Sequence, residues 1–194
     1  MKEKTVNAKN IIIRFLLVIA ALFLLLNGVW LWFRQHYYVT VANHAEMTKS
    51  KMGRQTHYEL SIPIPEENST ARYSITCPQY LRFGFGYFAS EEPDSYVEQD
   101  GKWLYPSDFH ISLTIHPELF GKPRYQLSIY DYRNTNADLL AGRTENLEPE
   151  IYMLDVDENM EILQELTYGS RAVYDAAYND AYALFCRAKA VFGL

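Results

Sequence analysis

The stretch IIIRFLLVIAALFLLLNGVWLWF, residues 11–33, decides how the rest of the chain is interpreted. From Phe15 to Phe33 its only strongly polar residue is Asn27, whereas a core helix carries polar residues every third or fourth position. As a helix, the nineteen residues from Phe15 to Phe33 would rise about 28 Å, which is close to the hydrocarbon thickness of a bilayer. The stretch therefore predicts a transmembrane helix at residues 11–33, with the lipid bilayer as its partner.

A cleaved secretory signal and a soluble core helix are the alternatives to a retained membrane helix. A signal has an apolar region of about 7–15 residues, followed by small residues at the cleavage site. This apolar stretch is longer, and it ends in large aromatic residues and a cation, which are typical of the membrane–water interface. Ala42 and Ala45 lie downstream but do not have the spacing of a cleavage site. The residues expected at the interface are Arg14, Trp30, Trp32, Phe33 and Arg34.

The cations around this helix predict its orientation. Four of them lie before it or near its start, and only Arg34 follows it immediately. Because positively charged flanks favour the cytoplasm, we expect residues 1–10 inside the cell and the C-terminal domain outside the membrane. A later basic cluster opposes this orientation, since it would contact anionic lipid if the domain were cytoplasmic. The early cations are Lys2, Lys4, Lys9 and Arg14, and the later cluster is Lys49, Lys51 and Arg54.

The rest of the chain, about 160 residues, is long enough for one domain with its own hydrophobic core. We expect a juxtamembrane connector at residues 34–55 and an extracytoplasmic domain at residues 56–194. The whole chain carries a formal net charge of −6 at pH 7, although its N-terminal flank is basic. An acidic domain repels phosphate backbones, so the composition argues against a nucleic-acid partner.

Alternation of apolar and polar residues predicts β-strands through most of this domain. FHISLTIHP, residues 109–117, alternates most cleanly, and its odd-numbered residues from Phe109 to Ile115 point to one face. Similar patterns occur in HYELSIPI, ARYSITC, YLRFGFGYFA and RYQLSIYDY. Two hairpins are predicted, one in YVEQDGKWLY with its turn at Asp100-Gly101 and one in EIYMLDVDENMEILQEL with its turn at residues 157–159.

Near the C-terminus the spacing of the apolar residues changes from every second residue to every third or fourth. Residues 170–192 therefore predict an amphipathic helix with Ser170 as its N-cap. We expect the tyrosines on its apolar stripe, Tyr174, Tyr178 and Tyr182, to lie mainly in the core. The predicted fold is therefore α+β. An N-terminal transmembrane helix precedes a mostly antiparallel β-sheet that one amphipathic C-terminal helix covers on one side.

The uncovered face of the predicted sheet carries the polar residues of the most regular strand. His110 and His116 share that face but lie about 20 Å apart along the strand, so they cannot bind one metal ion without other segments. We expect a solvated polar face and predict no metal and no cofactor. The residues of this face are His110, Ser112, Thr114 and His116.

Other motifs resemble catalytic or binding sites only in their composition. SDFH, residues 107–110, contains the residue types of a hydrolytic triad, but neighbours in a strand point apart. DVDEN, residues 155–159, starts like a calcium loop, but glycine and glutamate are missing from the sixth and twelfth positions. Cys77 and Cys186 permit a disulfide outside the cytoplasm, although their predicted positions do not obviously face each other. No catalytic residue is therefore assigned.

These patterns favour a single-pass membrane protein that presents an extracytoplasmic binding or scaffolding domain to a protein partner in a membrane complex. A well-patterned fold without an assembled catalytic group argues for binding rather than catalysis. One alternative is an envelope hydrolase or metal-dependent enzyme whose site is assembled across strands, with His110 or His116 in a pocket beside two carboxylates. The other is a regulatory domain that is tethered to the membrane on the cytoplasmic side.

Overall fold

The computed structural model describes residues 8–65, 68–82, 86–93, 95–118, 121–143 and 147–194. The α-helices of these residues are α1 (Ala8–Arg34), α2 (Thr40–His44), α3 (Arg133–Leu140) and α4 (Ser170–Phe192). The strands are β1 (Thr48–Met52), β2 (Gln55–Ile64), β3 (Ser69–Thr76), β4 (Tyr87–Pro93), β5 (Val97–Gln99), β6 (Lys102–Leu104), β7 (Phe109–His116), β8 (Arg124–Asp131), β9 (Glu150–Val156) and β10 (Ile162–Glu165).

The N-terminal helix has an exposed apolar half and a half that belongs to the domain. α1 continues through a π-helical turn, Gln35–Val39, into α2, and among the described residues this is the one helix that is long and apolar enough to cross a membrane. Residues 11–26 are all exposed, so this half is not a core element of the domain. Farther along, Phe33, Tyr38 and Ala42 are buried in the main hydrophobic core. The exposed half fits a membrane anchor.

The strands form an antiparallel meander, and the α+β prediction is confirmed. Eight strands make one sheet in the order β1-β2-β3-β4-β7-β8-β9-β10, and β5 pairs with β6 in a separate hairpin between β4 and β7. The turn of this hairpin, Asp100-Gly101, has φ values of 52° and 72°. Two successive residues with positive φ are what the favoured two-residue hairpin turn requires, so the prediction of this turn is also confirmed.

Helix α4 covers one face of the large sheet. Phe185 packs against Tyr125 with ring centroids 4.9 Å apart, and Phe192 packs against Tyr87 at 5.0 Å. Of the three tyrosines expected in the core, only Tyr174 is buried, and the prediction is wrong for Tyr178 and Tyr182. Those two side chains lie at the edge of the stripe, and Val173 and Leu184 fill the core instead.

The start of α4 also differs from the prediction. Gly169, with φ of 81°, takes the N-cap position, and Ser170 is the first helical residue. The Glu165 carboxylate at the end of β10 accepts hydrogen bonds from the Ser170 hydroxyl at 3.1 Å and from the Arg171 N–H at 3.2 Å. A carboxylate therefore caps this helix, and its charge complements the positive end of the helix dipole.

Two strand boundaries differ from the sequence patterns. Residues 80–82 of the predicted YLRFGFGYFA strand lie outside any strand, β4 begins at Tyr87, and residues 83–85 lie outside the described part of the chain. The stretch expected as a connector, residues 34–55, contains the end of the N-terminal helix and all of β1, which pairs with β2. The polar sequence TKSKM of β1 has no apolar alternation, because an edge strand is commonly protected by lysine rather than buried.

Gly86, at the start of β4, has no room for a side chain. A Cβ there would lie 2.7 Å from Thr114 Cγ2 and 2.9 Å from the Ile115 carbonyl oxygen of the neighbouring strand. We expect Gly86→Ala to lower the free energy of unfolding by about 1–3 kcal/mol, because the paired backbone cannot move freely. Chemical denaturation measures the change, with Gly28→Ala as the control in open space on α1. Equal stability of the two variants would contradict the close approach.

Candidate functional site

A cleft opens where β4 and β7 separate. These strands pair only from Tyr87↔Ile115 to Ser90↔Ser112, so the strand pairing does not extend to the end of β4 and the start of β7. Two adjoining cavities, of about 300 Å³ and about 550 Å³, occupy the space between these strand ends and the chain that leads to and from the β5–β6 hairpin. We call this space the β4–β7 cleft, and both of its cavities are lined by Pro93, Ser95, Pro106, Ser107 and His110.

Three tyrosines form an aromatic wall of the β4–β7 cleft. Tyr105 and Tyr132 stack with their ring centroids 3.8 Å apart, and Tyr96 meets Tyr105 edge to face at 5.4 Å. Helix α3 holds Tyr105 in place, because the Asn136 side chain accepts the Tyr105 N–H at 3.0 Å and donates to its carbonyl oxygen at 3.1 Å. The wall is therefore a fixed surface rather than a set of independent side chains.

Carboxylates also line the cleft, Glu92 in the smaller cavity and Glu91 and Asp180 in the larger one. Glu91 forms an ion pair with Arg187 of α4, and Glu92 forms one with Arg72 of β3 at 3.0 Å. Asp180 of α4 is exposed and also lines the larger cavity. Aromatic rings beside carboxylates attract cations through both the ring faces and the negative charges. Arg187 and Arg72 offset the charges of Glu91 and Glu92, so Asp180 and the tyrosine rings are the features of the cleft that favour a positively charged group.

Ser69 is a polar residue in the lining of the larger cavity. Its hydroxyl oxygen is buried and has no hydrogen-bond partner among the described residues. Because this oxygen has almost no surface open to the cavity, a ligand reaches it only if the neighbouring side chains move.

His110 lies in the cleft, whereas His116 lies at the other end of β7. Burial lowers the pKa of His110, and the hydrogen bond to the Glu91 backbone and the charge of Glu92 oppose this shift. The structure thus separates the two histidines, as the strand spacing predicts, and places only His110 in the cleft, beside Glu91 and Glu92. Among the described residues, no group of three or more His, Cys, Asp or Glu side chains is suited to hold a metal ion.

The lowered pKa of His110 predicts how stability depends on pH. The folded state binds a proton on this ring less readily than the unfolded state does, whose histidine has a pKa near 6.5. Stability should therefore fall as the pH decreases below about 6.5, down to the lower pKa of the folded state. Burial also lowers the pKa of His116, so that histidine acts in the same direction.

Urea denaturation between pH 7.5 and pH 5, conditions chosen to bracket that pKa, tests this expectation. The free energy of unfolding should depend less steeply on pH in His110→Gln than in the wild type. It should depend less steeply again when His116→Gln is added. A wild-type slope in His110→Gln would contradict the burial of the His110 ring.

The other polar residues that we expected on the uncovered face of the sheet are less exposed to solvent than the sequence predicts. Ser112 is buried, and Thr114 is half-buried. Ser112 is opposite Ser90 on one side and Ser128 on the other, so small side chains are shielded by their neighbours. These residues do not line the β4–β7 cleft, which takes only His110 from the predicted set.

The predicted membrane-interface residues take different positions. Arg14 is exposed on α1, Trp30 contacts the Tyr80 ring at 5.2 Å, and Trp32 stacks on His36 at 5.1 Å. Phe33, by contrast, is buried in the domain core, because the helix enters the domain before it ends. Arg34 is half-buried, and its charge acts on the pKa of the Cys77 thiol.

Both cysteines are free. Cys77 is buried, and burial raises the pKa of its thiol while the charge of Arg34 opposes the shift. Cys186 is exposed on α4. The two thiols therefore differ in accessibility, which makes them useful as reporters of topology.

The aromatic wall was not predicted from the sequence. Tyr105 and Tyr96 lie in or beside a hairpin, and Tyr132 follows β8, so these residues are far apart along the chain. The one sequence signal is the abundance of tyrosine, sixteen residues in all, which does not say which of them meet.

Comparison with protein-family models, with curated proteins and with solved structures finds no match to this chain in any of the three. The function is therefore argued from the geometry of the chain itself.

Proposed function

We propose that this chain is a single-pass membrane protein whose extracytoplasmic domain binds a protein partner through the β4–β7 cleft. The observation that carries the proposal is the continuity of the N-terminal helix with the domain core. Phe33 and Tyr38 are buried in the domain, while residues 11–26 of the same helix are exposed and apolar. A domain attached in this way has a fixed height and orientation above the bilayer, as a membrane-bound docking module requires.

The cleft lies at the end of the sheet away from the membrane. Tyr87, at the start of β4, donates a hydrogen bond to the Tyr37 carbonyl oxygen and packs against Tyr38, so this end of β4 lies beside the N-terminal helix. Pro93, at the other end of β4, lines the cleft. A seven-residue strand spans roughly 20 Å, so the cleft faces outward from the bilayer and is open to a partner.

The chemistry of the cleft favours a basic segment of that partner. A lysine or arginine side chain can lie against the tyrosine wall in the smaller cavity and approach the exposed carboxylate of Asp180 in the larger one. Lys102 lines neither cavity, and its ammonium group donates a hydrogen bond to the Leu140 carbonyl oxygen at 2.5 Å. The four cations before residues 11–33 or near their start, compared with the single cation Arg34 immediately after them, support the extracytoplasmic orientation.

Affinity purification from membranes in mild detergent tests the proposal. We expect the wild-type chain to bring down a stoichiometric partner, and Tyr132→Ala to weaken that complex by about 2 kcal/mol, roughly 30-fold. Asp180→Lys changes an exposed residue of the cleft and should weaken binding without affecting folding. The matched control is Tyr168→Ala, since Tyr168 is fully exposed outside the cleft. A monomer without a partner, or equal loss in the control, would contradict the proposal.

A second candidate is a hydrolase whose site is assembled across strands. His110 does lie in a cleft beside Glu91 and Glu92, which this hypothesis requires. Both carboxylates, however, pair with arginines, which leaves no free acid or base beside the histidine among these three residues. For this candidate, His110→Gln should abolish turnover of an envelope substrate while partner binding persists, and binding loss alone would favour the docking module.

A further inference from the structure

Residues 77–82, the described part of the loop that follows β3, return to the side of the N-terminal helix. The Tyr80 hydroxyl donates a hydrogen bond to the Asn27 side-chain oxygen, and the Tyr80 ring meets Trp30 edge to face at 5.2 Å. The Asn27 amide nitrogen donates to the Phe23 carbonyl oxygen at 2.7 Å, so both ends of this side chain are paired. Asn27, the only strongly polar residue between Phe15 and Phe33, is therefore bonded within the chain rather than to a second helix.

This contact determines the depth of the loop. A helix from Ile11 to Trp30 rises about 30 Å, which is the thickness of the hydrocarbon core. If that segment spans the bilayer, Trp30 lies at the edge of the hydrocarbon, where tryptophan is enriched. Tyr80 touches the helix between Asn27 and Trp30, so its ring lies at the same edge.

The loop exposes apolar side chains at this depth. Tyr80 is 55% exposed and Leu81 is 40% exposed, although Leu81 is next to a residue that packs on the helix. Leu81 has φ of 56°, a left-handed backbone that is unfavourable for leucine. Exposure of the Leu81 side chain to water does not offset the cost of this backbone conformation. Insertion of the side chain into the apolar boundary of a bilayer would offset it.

Cations lie next to these apolar residues. Arg82 follows Leu81 and is exposed, and the charges of Arg34 and Lys49 both act on the thiol of Cys77 at the start of the loop. The β1–β2 turn lies at the same end of the sheet, because the Thr56 carbonyl oxygen accepts the Cys77 N–H at 2.9 Å. Lys51 and Arg54 lie at that turn. Cations that surround exposed apolar residues suit the anionic phospholipid headgroups at the surface of a bilayer.

We infer that Tyr80 and Leu81 enter the headgroup region of the bilayer, and that Arg34, Lys49 and Arg82 bind anionic phospholipid there. The surface is continuous with the apolar surface of the N-terminal helix. The inference rests only on the proposal that residues 11–33 span the bilayer, and it holds for a domain on either side of the membrane. The domain then sits directly on the lipid instead of standing away from it, and the β4–β7 cleft keeps a constant distance from the bilayer.

Spin labels on the full-length chain in nanodiscs test this inference. Leu81→Cys is labelled in a Cys186→Ser background, in which the other thiol, Cys77, is buried. Matched labels are placed at Leu22, on the exposed half of α1, and at Leu163, which is 65% exposed on β10. Collision rates with oxygen, which partitions into lipid, and with a water-soluble nickel complex report the depth of each label.

We expect the oxygen-to-nickel ratio at Leu81 to be severalfold higher than at Leu163 and lower than at Leu22. A ratio at Leu81 equal to that at Leu163, with Leu22 in the hydrocarbon, would overturn the inference and leave the anchor intact. A water-like ratio at Leu22 would instead overturn the membrane placement itself.

A second pair of nanodiscs tests the lipid preference. Addition of phosphatidylglycerol to phosphatidylcholine should move the Leu81 label deeper, and Lys49→Glu with Arg82→Glu should remove that shift. A depth that does not depend on the lipid headgroup would overturn the anionic preference.

Discussion

Replacement of Leu22 and Leu25 by arginine should release the chain from membranes. Both leucines are exposed on the apolar half of α1, near the middle of the span. Each charged residue at the centre of a membrane helix costs about 2.5–3.5 kcal/mol, so the pair opposes insertion by about 5–7 kcal/mol. The measurement is the fraction of the chain that remains in the membrane pellet after an alkaline carbonate wash.

The control makes the same substitutions outside the helix. Leu163 lies on β10, Leu166 directly follows that strand, and both are exposed. Membrane retention of the variant with Leu163→Arg and Leu166→Arg should therefore stay at the wild-type level. If the Leu22 and Leu25 variant stays in the pellet like the control, residues 11–33 are not what holds the chain in the membrane.

Tyr38→Ala should destabilise the sheet domain, although Tyr38 belongs to the N-terminal helix. Its side chain is fully buried and meets Phe33 at 5.6 Å and Tyr87 at 6.1 Å between ring centroids. Removal of a buried aromatic ring costs about 3–5 kcal/mol, because a cavity remains and packing contacts are lost. Chemical denaturation in detergent, followed by the circular dichroism of the sheet, measures the loss.

The matched control is Tyr168→Ala, which removes the same side chain from a fully exposed position and should change stability by less than about 0.5 kcal/mol. If Tyr38→Ala is equally mild, the helix is a flexible tether, and the fixed height of the domain above the bilayer is wrong.

The regular elements of the fold could be predicted because their patterns are local. FHISLTIH alternates along its whole length, and β7 indeed buries Ile111, Leu113 and Ile115 on the α4 side. Asp100-Gly101 specifies its turn through backbone preference alone. The end of the N-terminal helix was harder to assign, because an aromatic run suits both a membrane interface and a protein core. Only packing shows that Phe33 takes the second role.

The candidate site could not be predicted, because it depends on contacts between distant segments. The separation of β4 from β7 beyond Ser90↔Ser112 has no local sequence signal. Tyr105 meets Tyr132 only because α3 binds the backbone of Tyr105. Likewise, the partner of Asn27 is a tyrosine more than fifty residues away, and the helical period does not reveal it.

The central claim is that the domain lies outside the membrane on a retained N-terminal helix, and thiol labelling tests it most directly. Intact cells are treated with a membrane-impermeant maleimide, with Cys186→Ser as the control. Because Cys186 is exposed and Cys77 is buried, the account predicts one labelled thiol in intact cells, lost in Cys186→Ser, and a second only after denaturation. Labelling of Cys186 only after the membranes are permeabilised, with the domain still folded, would place the domain in the cytoplasm and contradict the account.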